Sequence, residues 1–135
     1  MSGFDGIKHA EFILDALKKE GADKATARVS KSVKSEMNID AGRLSLYRST
    51  TDISVSMTSL VETKKGYIAG NDLSEKALKE NAAKAVSLSR SSEKDDGNDI
   101  SPMQKGETLS YGDTEPNNEK MYERLKEFLD YTKSA

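Results

Sequence analysis

The sequence predicts an α+β fold: a two-layer sandwich in which helices flank an antiparallel four-strand meander in the order α-β-β-β-β-α, followed by a loop and a further helix. Two patterns in the chain of 135 residues indicate this class. Apolar residues recur with a helical period before residue 20 and after residue 74, and they alternate with polar residues between them. Because each alternating segment has one apolar face, the sheet needs a covering layer, which the helices supply.

The first helix is predicted over residues 5–20. Gly21 follows it, where a residue with left-handed backbone commonly ends a helix. Its apolar face is predicted from residues at helical spacing, namely Ile7, Ala10, Ile13, Leu14 and Leu17.

Four strands are predicted in the segment that follows. Residues 40–43 contain Gly42 and are typical of a tight turn, and residues 64–66 form a similar turn before a short last strand. Thr50 to Asp52 is expected to separate the second strand from the third. The strands are expected at residues 25–39, 44–49, 53–61 and 67–69.

Two further helices are predicted. The second begins after a cap at Asp72 or Ser74, and its small apolar residues permit close packing on a sheet. The third begins after a cap at Asn117 or Asn118. It carries an apolar stripe of Met121, Leu125, Phe128 and Leu129, which needs a covering surface on its own domain or on a second copy.

The predicted elements divide the chain into three parts. Residues 1–90 form the α+β domain. Residues 91–118 are rich in Ser, Asp, Gly and Asn and contain both prolines, so we expect a mobile loop or linker. Residues 119–135 form a helix that opens a next domain or docks back on the first.

Composition argues against several classes of protein. The 21 Lys and Arg residues are balanced by 23 Asp and Glu residues, so charge gives no reason to expect nucleic acid as a partner. No apolar run is long enough to cross a membrane, and no secretory signal is visible. Since there is no cysteine, disulfides and thiolate metal sites are excluded, and a cytoplasmic location is expected.

No catalytic, cofactor-binding or metal-binding residue is predicted in this chain. His9 is the only histidine, and the helical period places it about 200° from Ile7, so we expect it to face solvent. A zinc site needs three or four ligands, mostly His or Cys. The acidic run at residues 93–99 is interpreted as a solvated loop, because an EF-hand register would place Lys94 and Met103 at ligand positions.

Basic residues of the first two strands suggest a second possible surface. It would contain Lys24, Arg28, Lys34, Arg43 and Arg48, interrupted by Glu36. RNA-binding sheets also present aromatic side chains, whereas the neighbours here are mostly serines. An ordinary solvated sheet face is therefore the favoured interpretation.

Three segments resemble the first domain of the TldD/PmbA family, whose members have been described as modulators of DNA gyrase. The first is residues 14–23, ending in Gly21-Ala22-Asp23. The second is residues 40–44 around Gly42, and the third is residues 65–78, which contain the string Gly70-Asn71-Asp72-Leu73-Ser74. The resemblance covers about residues 7–90.

This resemblance implies the noncatalytic amino-terminal domain of a cytoplasmic zinc metallopeptidase that acts on unfolded peptides. It also implies a downstream catalytic domain and a homodimer or a paired subunit as partners. The family's zinc ligands belong to that downstream domain, and no position here matches them, so no cofactor is expected in this chain. Two alternatives remain open: an independent peptide- or protein-binding module of the same fold, and a small hydrolase relying on His9 and ordinary carboxylates.

Overall fold

The fold is an α+β arrangement of three helices and a three-stranded antiparallel sheet, seen in a computed structural model that describes residues 4–112 and 116–134. The strands are adjacent in chain order, β1-β2-β3. The elements are α1 (Gly6–Lys19), β1 (Lys24–Asp40), β2 (Arg43–Val61), β3 (Lys64–Gly70), α2 (Glu75–Ser91) and α3 (Asn118–Ser134). The predicted fold class is therefore confirmed.

The predicted four-strand meander is wrong, because its second and third strands are one continuous strand, β2. The prediction treated Thr50 to Asp52 as a break. That segment contains neither glycine nor proline, and threonine is a β-branched residue that favours extended backbone. The chain therefore continues as a strand through it.

The chain divides into two compact units. One comprises the described residues up to Lys31 together with Asp52–Lys105, and the other comprises Ser32–Thr51 together with the described residues from Gly106 onward. The long strands β1 and β2 contribute to both units.

The first unit contains the hydrophobic core. α1 and α2 pack against one another and against one face of the sheet. Ile7, placed in the predicted apolar face of α1, is instead 69% exposed, so the buried face of α1 is formed by residues further along the helix. The buried apolar residues are Ile13, Ala16, Leu17, Val55, Met57, Leu60, Leu78, Ala82, Ala85 and Val86.

The helix ends are fixed by side-chain caps and a glycine. Ser74 rather than Asp72 caps α2, accepting a hydrogen bond from the backbone N–H of Ala77 at 3.3 Å. At the end of α1, Gly21 has φ +103°, and the N–H groups of Gly21 and Ala22 donate to the carbonyls of Lys18 and Leu17, each at 3.0 Å. These two bonds form a Schellman arrangement, and the left-handed glycine cap predicted from the sequence is confirmed.

α2 and β3 approach one another closely at Gly66. A Cβ atom at this position would lie 2.0 Å from the carbonyl oxygen of Ala85 and 2.7 Å from the backbone nitrogen of Ser89. No side chain fits in that space, so Gly66 is required by packing. Gly66 pairs with Ser59 across the β2–β3 ladder. The predicted turn at residues 64–66 is therefore wrong: β3 already begins at Lys64, the turn lies at Glu62 and Thr63, and Gly66 is needed for packing against α2.

The second unit contains a β-hairpin and α3. The hairpin turns at Ala41 and Gly42, whose φ angles of 48° and 76° are both positive, as in a type I′ turn. None of the described residues of α3 is buried, and Phe128 in its predicted stripe is 60% exposed. Among the described helices, none is long and apolar enough to cross a membrane.

Candidate functional site

His9 does not face solvent freely, contrary to the prediction. It is half-buried on α1, its Nδ1 lies 2.7 Å from the carbonyl oxygen of Asp5, and its ring stacks on that of Phe4 with centroids 6.1 Å apart. Because a carbonyl oxygen only accepts, Nδ1 carries the proton in that contact. The predicted angle was measured from Ile7, which is itself exposed, and this explains the error.

Zinc does not fit the donors of this chain. His9 offers at most one ring nitrogen, Nε2, since Nδ1 is engaged with Asp5, and the sequence contains no cysteine. Within residues 4–112 and 116–134, no group of three His, Asp or Glu side chains is placed to hold a metal ion. The described residues therefore provide no metal centre, and no chemical step can be assigned to one here.

The basic residues of the predicted sheet surface are largely paired with acids. Arg48 donates from Nε to Glu36 at 2.8 Å, and Lys34 lies 2.8 Å from the same carboxylate. These contacts, first that of Lys34 and then that of Arg48, hold the pKa of Glu36 below its usual value. Lys24 forms an ion pair with Asp99. Such pairing weakens any attraction to a polyanion and agrees with the ordinary sheet-face interpretation.

The turn between β2 and β3 is the most unusual backbone of the first unit. Glu62 and Thr63 have φ angles of 51° and 65°, and neither is a glycine. Positive φ is unfavourable for side chains with a Cβ, and for a β-branched residue such as threonine it is a genuine outlier. Contacts from elsewhere in the unit must therefore hold this turn.

Asp23 provides one of those contacts. Its carboxylate accepts a hydrogen bond from the backbone N–H of Glu62 at 2.8 Å, and its own backbone N–H donates to the carbonyl of Leu60, also at 2.8 Å. Asp23, two residues after the Gly21 cap, thus ties the end of α1 to the β2–β3 turn. Sequence reasoning missed this role, since nothing in the local pattern identifies the partner of an aspartate in a turn.

The acidic run forms the second support of the turn. Asn98 donates from its side chain to the carbonyl of Thr63 at 2.9 Å, and the backbone N–H of Asp95 points at the same oxygen from 3.4 Å. The ion pair with Lys24 and the backbone N–H of Ile100 lower the pKa of Asp99, the ion pair being the larger cause. The start of the predicted mobile linker is thus anchored to the first unit, while the mobility of its later part remains a prediction.

A cleft of about 370 Å³ lies between these supports. Its lining includes Asp23, Glu62, Asp96 and Asp99, together with Lys24 and Thr63. The carboxylates of Asp23 and Asp99 are already occupied by the Glu62 N–H and by Lys24. The arrangement therefore acts as a structural junction between α1, the β2–β3 turn and the acidic loop.

Residues 25–89, which include nearly all of the three strands and most of α2, match the family model described as PmbA/TldA metallopeptidase domain 1. This chain contains a first domain of the TldD/PmbA family. Comparison with curated protein sequences gives no match.

Two solved structures of similar fold support the assignment. TldE from Thermococcus kodakarensis aligns with a TM-score of 0.63 at 16% identity, over 81% of this chain and 24% of that one. A proposed modulator of DNA gyrase from Bacteroides thetaiotaomicron aligns with a TM-score of 0.66 at 21% identity, over 82% and 25% of the two chains. The TldD/PmbA-type chain thus corresponds to about a quarter of the length of these proteins.

The residues that carry the family resemblance have structural roles in this TldD/PmbA domain. Gly21 ends α1, and Asp23 then fixes the β2–β3 turn. Gly66 permits the approach of α2, and Asp72 accepts a hydrogen bond from the backbone N–H of the cap residue Ser74 at 2.9 Å. In the described structure, these family residues therefore end or cap helices, hold a turn and permit close packing.

Proposed function

We propose that this chain is the noncatalytic amino-terminal domain of a cytoplasmic TldD/PmbA-type metallopeptidase. In this proposal the complete protein cleaves unfolded peptides with a zinc ion held by another domain. The first domain contributes to the substrate cleft or to the dimer contact. The observation that carries the proposal is the match of residues 25–89 to the first domain of this metallopeptidase family.

The small number of side chains that could bind a metal ion supports a noncatalytic role. The single histidine uses Nδ1 to bond Asp5, and the family residues that can be located serve caps, turns and close packing. A peptidase built from such a domain must obtain its metal ligands elsewhere. The greater length of the similar solved structures is consistent with further domains.

The experiment compares the natural reading frame with a version lacking the first domain. If the frame encodes further domains, the complete protein should bind zinc and cleave an unfolded peptide such as reduced casein, and removal of residues 1–90 should abolish cleavage while zinc remains bound. Unchanged cleavage after this deletion would contradict a role in the substrate cleft or dimer contact. A variant of the complete protein with Gly42→Asn, a change confined to a surface turn, serves as the control.

The second candidate is an independent peptide- or protein-binding module of the same fold. The observation that favours it is the outer edge of β3 in the sheet order β1-β2-β3, where no strand of the described residues pairs beyond the bridge of Lys64 with Lys94. Such edges can accept an extended segment. A stop codon directly after Ala135 in the natural gene would support this candidate and contradict the first.

A further inference from the structure

The directions of the backbone N–H and C=O groups along β3 follow from the register in which β2 and β3 pair. Val61 pairs with Lys64 across a two-residue turn with positive φ at both positions. In such a turn the two flanking residues hydrogen-bond to each other. The backbone N–H and C=O groups of successive residues in β3 then point alternately toward β2 and away from it. Lys64, Gly66 and Ile68 therefore bond to β2, and the residues between them direct N–H and C=O outward.

The contacts at the start of β3 agree with this assignment. Lys64 forms an antiparallel bridge with Lys94, and the N–H of Asp95 points at the carbonyl of Thr63. These contacts cover only the first outward positions of the edge. Among residues 4–112 and 116–134, no strand or bridge reaches the outward groups of Tyr67 and Ala69.

The side chains of these two residues lie on the open face of the sheet. Tyr67 is 56% exposed, and Ala69 is also exposed, whereas Gly66 between β3 and α2 is buried. The large ring of Tyr67 and the small methyl group of Ala69 are thus neighbours on this face of the strand. Unpaired backbone groups of this kind are complementary to another extended strand.

We propose that a second copy of this chain pairs with this edge, β3 against β3 in antiparallel orientation about a two-fold axis at Ile68. In this register Tyr67 of each copy lies opposite Ala69 of the other, and each such pair exchanges both of its backbone hydrogen bonds. The ring of Tyr67 then covers the small side chain of the other copy's Ala69.

Charge at the two ends of β3 favours this orientation. The strand begins with Lys64 and Lys65, and Asp72 follows its end. Lys64 already faces Lys94 at this edge, so antiparallel pairing brings Lys65 of each copy near Asp72 of the other, whereas parallel pairing in register would bring like charges together. The backbone N–H of Ser74 holds the pKa of Asp72 below its usual value, so this carboxylate is charged at neutral pH.

This inference rests on the dimer contact in the proposed function, and its test uses the chain alone. Sedimentation equilibrium should show a reversible dimer, and hydrogen exchange should show the amides of Tyr67 and Ala69 becoming protected as chain concentration rises. Ala69→Pro removes one outward N–H without removing a bond to β2, so it should weaken association about tenfold or more. Ala69→Ser keeps the N–H group and should weaken association less than Ala69→Pro does.

A second variant keeps the test independent of any folding defect in Ala69→Pro. Lys65→Glu leaves the backbone intact and places like charges at both ends of the contact, so it should also weaken the dimer, most strongly at low salt. Circular dichroism confirms that each variant is folded.

Three results would overturn the proposal. The chain could remain monomeric at millimolar concentration, which leaves its place in a peptidase untouched. Phe128→Ser, rather than the β3 variants, could dissociate the dimer, which would assign the contact to α3. Finally, the two amides could become protected only when an extended Thr-Val repeat peptide is added to a monomeric chain, which would assign the edge to peptide capture.

Discussion

Ser59 on β2 and Ser89 on α2 form a fully buried pair of hydroxyl groups that joins the sheet to the helix. Their side chains hydrogen-bond to each other, Ser89 Oγ lies 2.9 Å from the carbonyl oxygen of Ser59, and both hydroxyls lie 3.1 Å from the carbonyl oxygen of Ala85. Buried polar groups are stabilising only when their partners are present. This pair therefore fixes how the end of α2 sits on β2 and β3.

Replacing Ser89 with Ala should lower the free energy of unfolding by about 1–2 kcal/mol. The change removes the buried hydroxyl to which the side chain and the carbonyl oxygen of Ser59 are hydrogen-bonded. Urea denaturation monitored by circular dichroism measures the effect. Ser91→Ala is the matched control, since that hydroxyl is exposed and bonds only to the Leu88 carbonyl of the same helix. Equal losses for both variants would show that the buried pair has no special role.

Gly66→Ala should destabilise the fold by about 1–3 kcal/mol, because the added methyl group would overlap the carbonyl of Ala85 unless α2 moves. The control is Gly70→Ala on the same strand, where the nearest atom to the new Cβ is Nδ2 of Asn81 at 3.8 Å. That change should alter stability by less than about 0.5 kcal/mol. Thermal unfolding compares the stability of the two variants. Similar melting temperatures would contradict the close approach of β3 and α2.

The positions of Gly21 and Ser74 show why much of the fold can be predicted from sequence. Glycine, serine and alternating apolar residues act locally, so the helices, the hairpin turn at Gly42 and the family strings were identified correctly. Two failures involve partners distant in sequence: the exposure of Ile7 and the pairing of Asp23 with Glu62 depend on packing, which a local pattern does not encode. The continuous β2 was instead a local signal that was misinterpreted, since Thr50 to Asp52 contain neither glycine nor proline.

Thr63→Gly should stabilise the domain by about 1 kcal/mol. Glycine adopts positive φ without steric cost, and the change also removes a buried hydroxyl that has no hydrogen-bond partner among the described residues. The same substitution at Thr58, within β2, should instead be destabilising, because glycine weakens a strand interior. The denaturation midpoints of the two variants show whether each change stabilises or destabilises the domain. A loss of stability in Thr63→Gly would show that the turn is not strained.

The ion pair of Lys24 with Asp99 should make the anchoring of the acidic loop dependent on pH. The pKa of Asp99 is lowered in the folded state, so its stabilising contribution is present above the unfolded-state pKa and is lost as pH falls through the folded-state pKa. Carboxyl chemical shifts should report a low midpoint for Asp99 that rises toward the usual value in Lys24→Met or in high salt. An Asp99 midpoint that does not change in Lys24→Met would mean that the pair does not form in solution.

The central prediction is that this chain binds no metal ion of its own, and zinc content tests it most directly. Purified chain, incubated with zinc and passed through a desalting column, should retain well below one zinc ion per chain and should not cleave reduced casein, because its donors are too few. Elemental analysis by mass spectrometry gives the ratio. One tightly bound zinc ion per chain that is lost in His9→Ala would contradict the account.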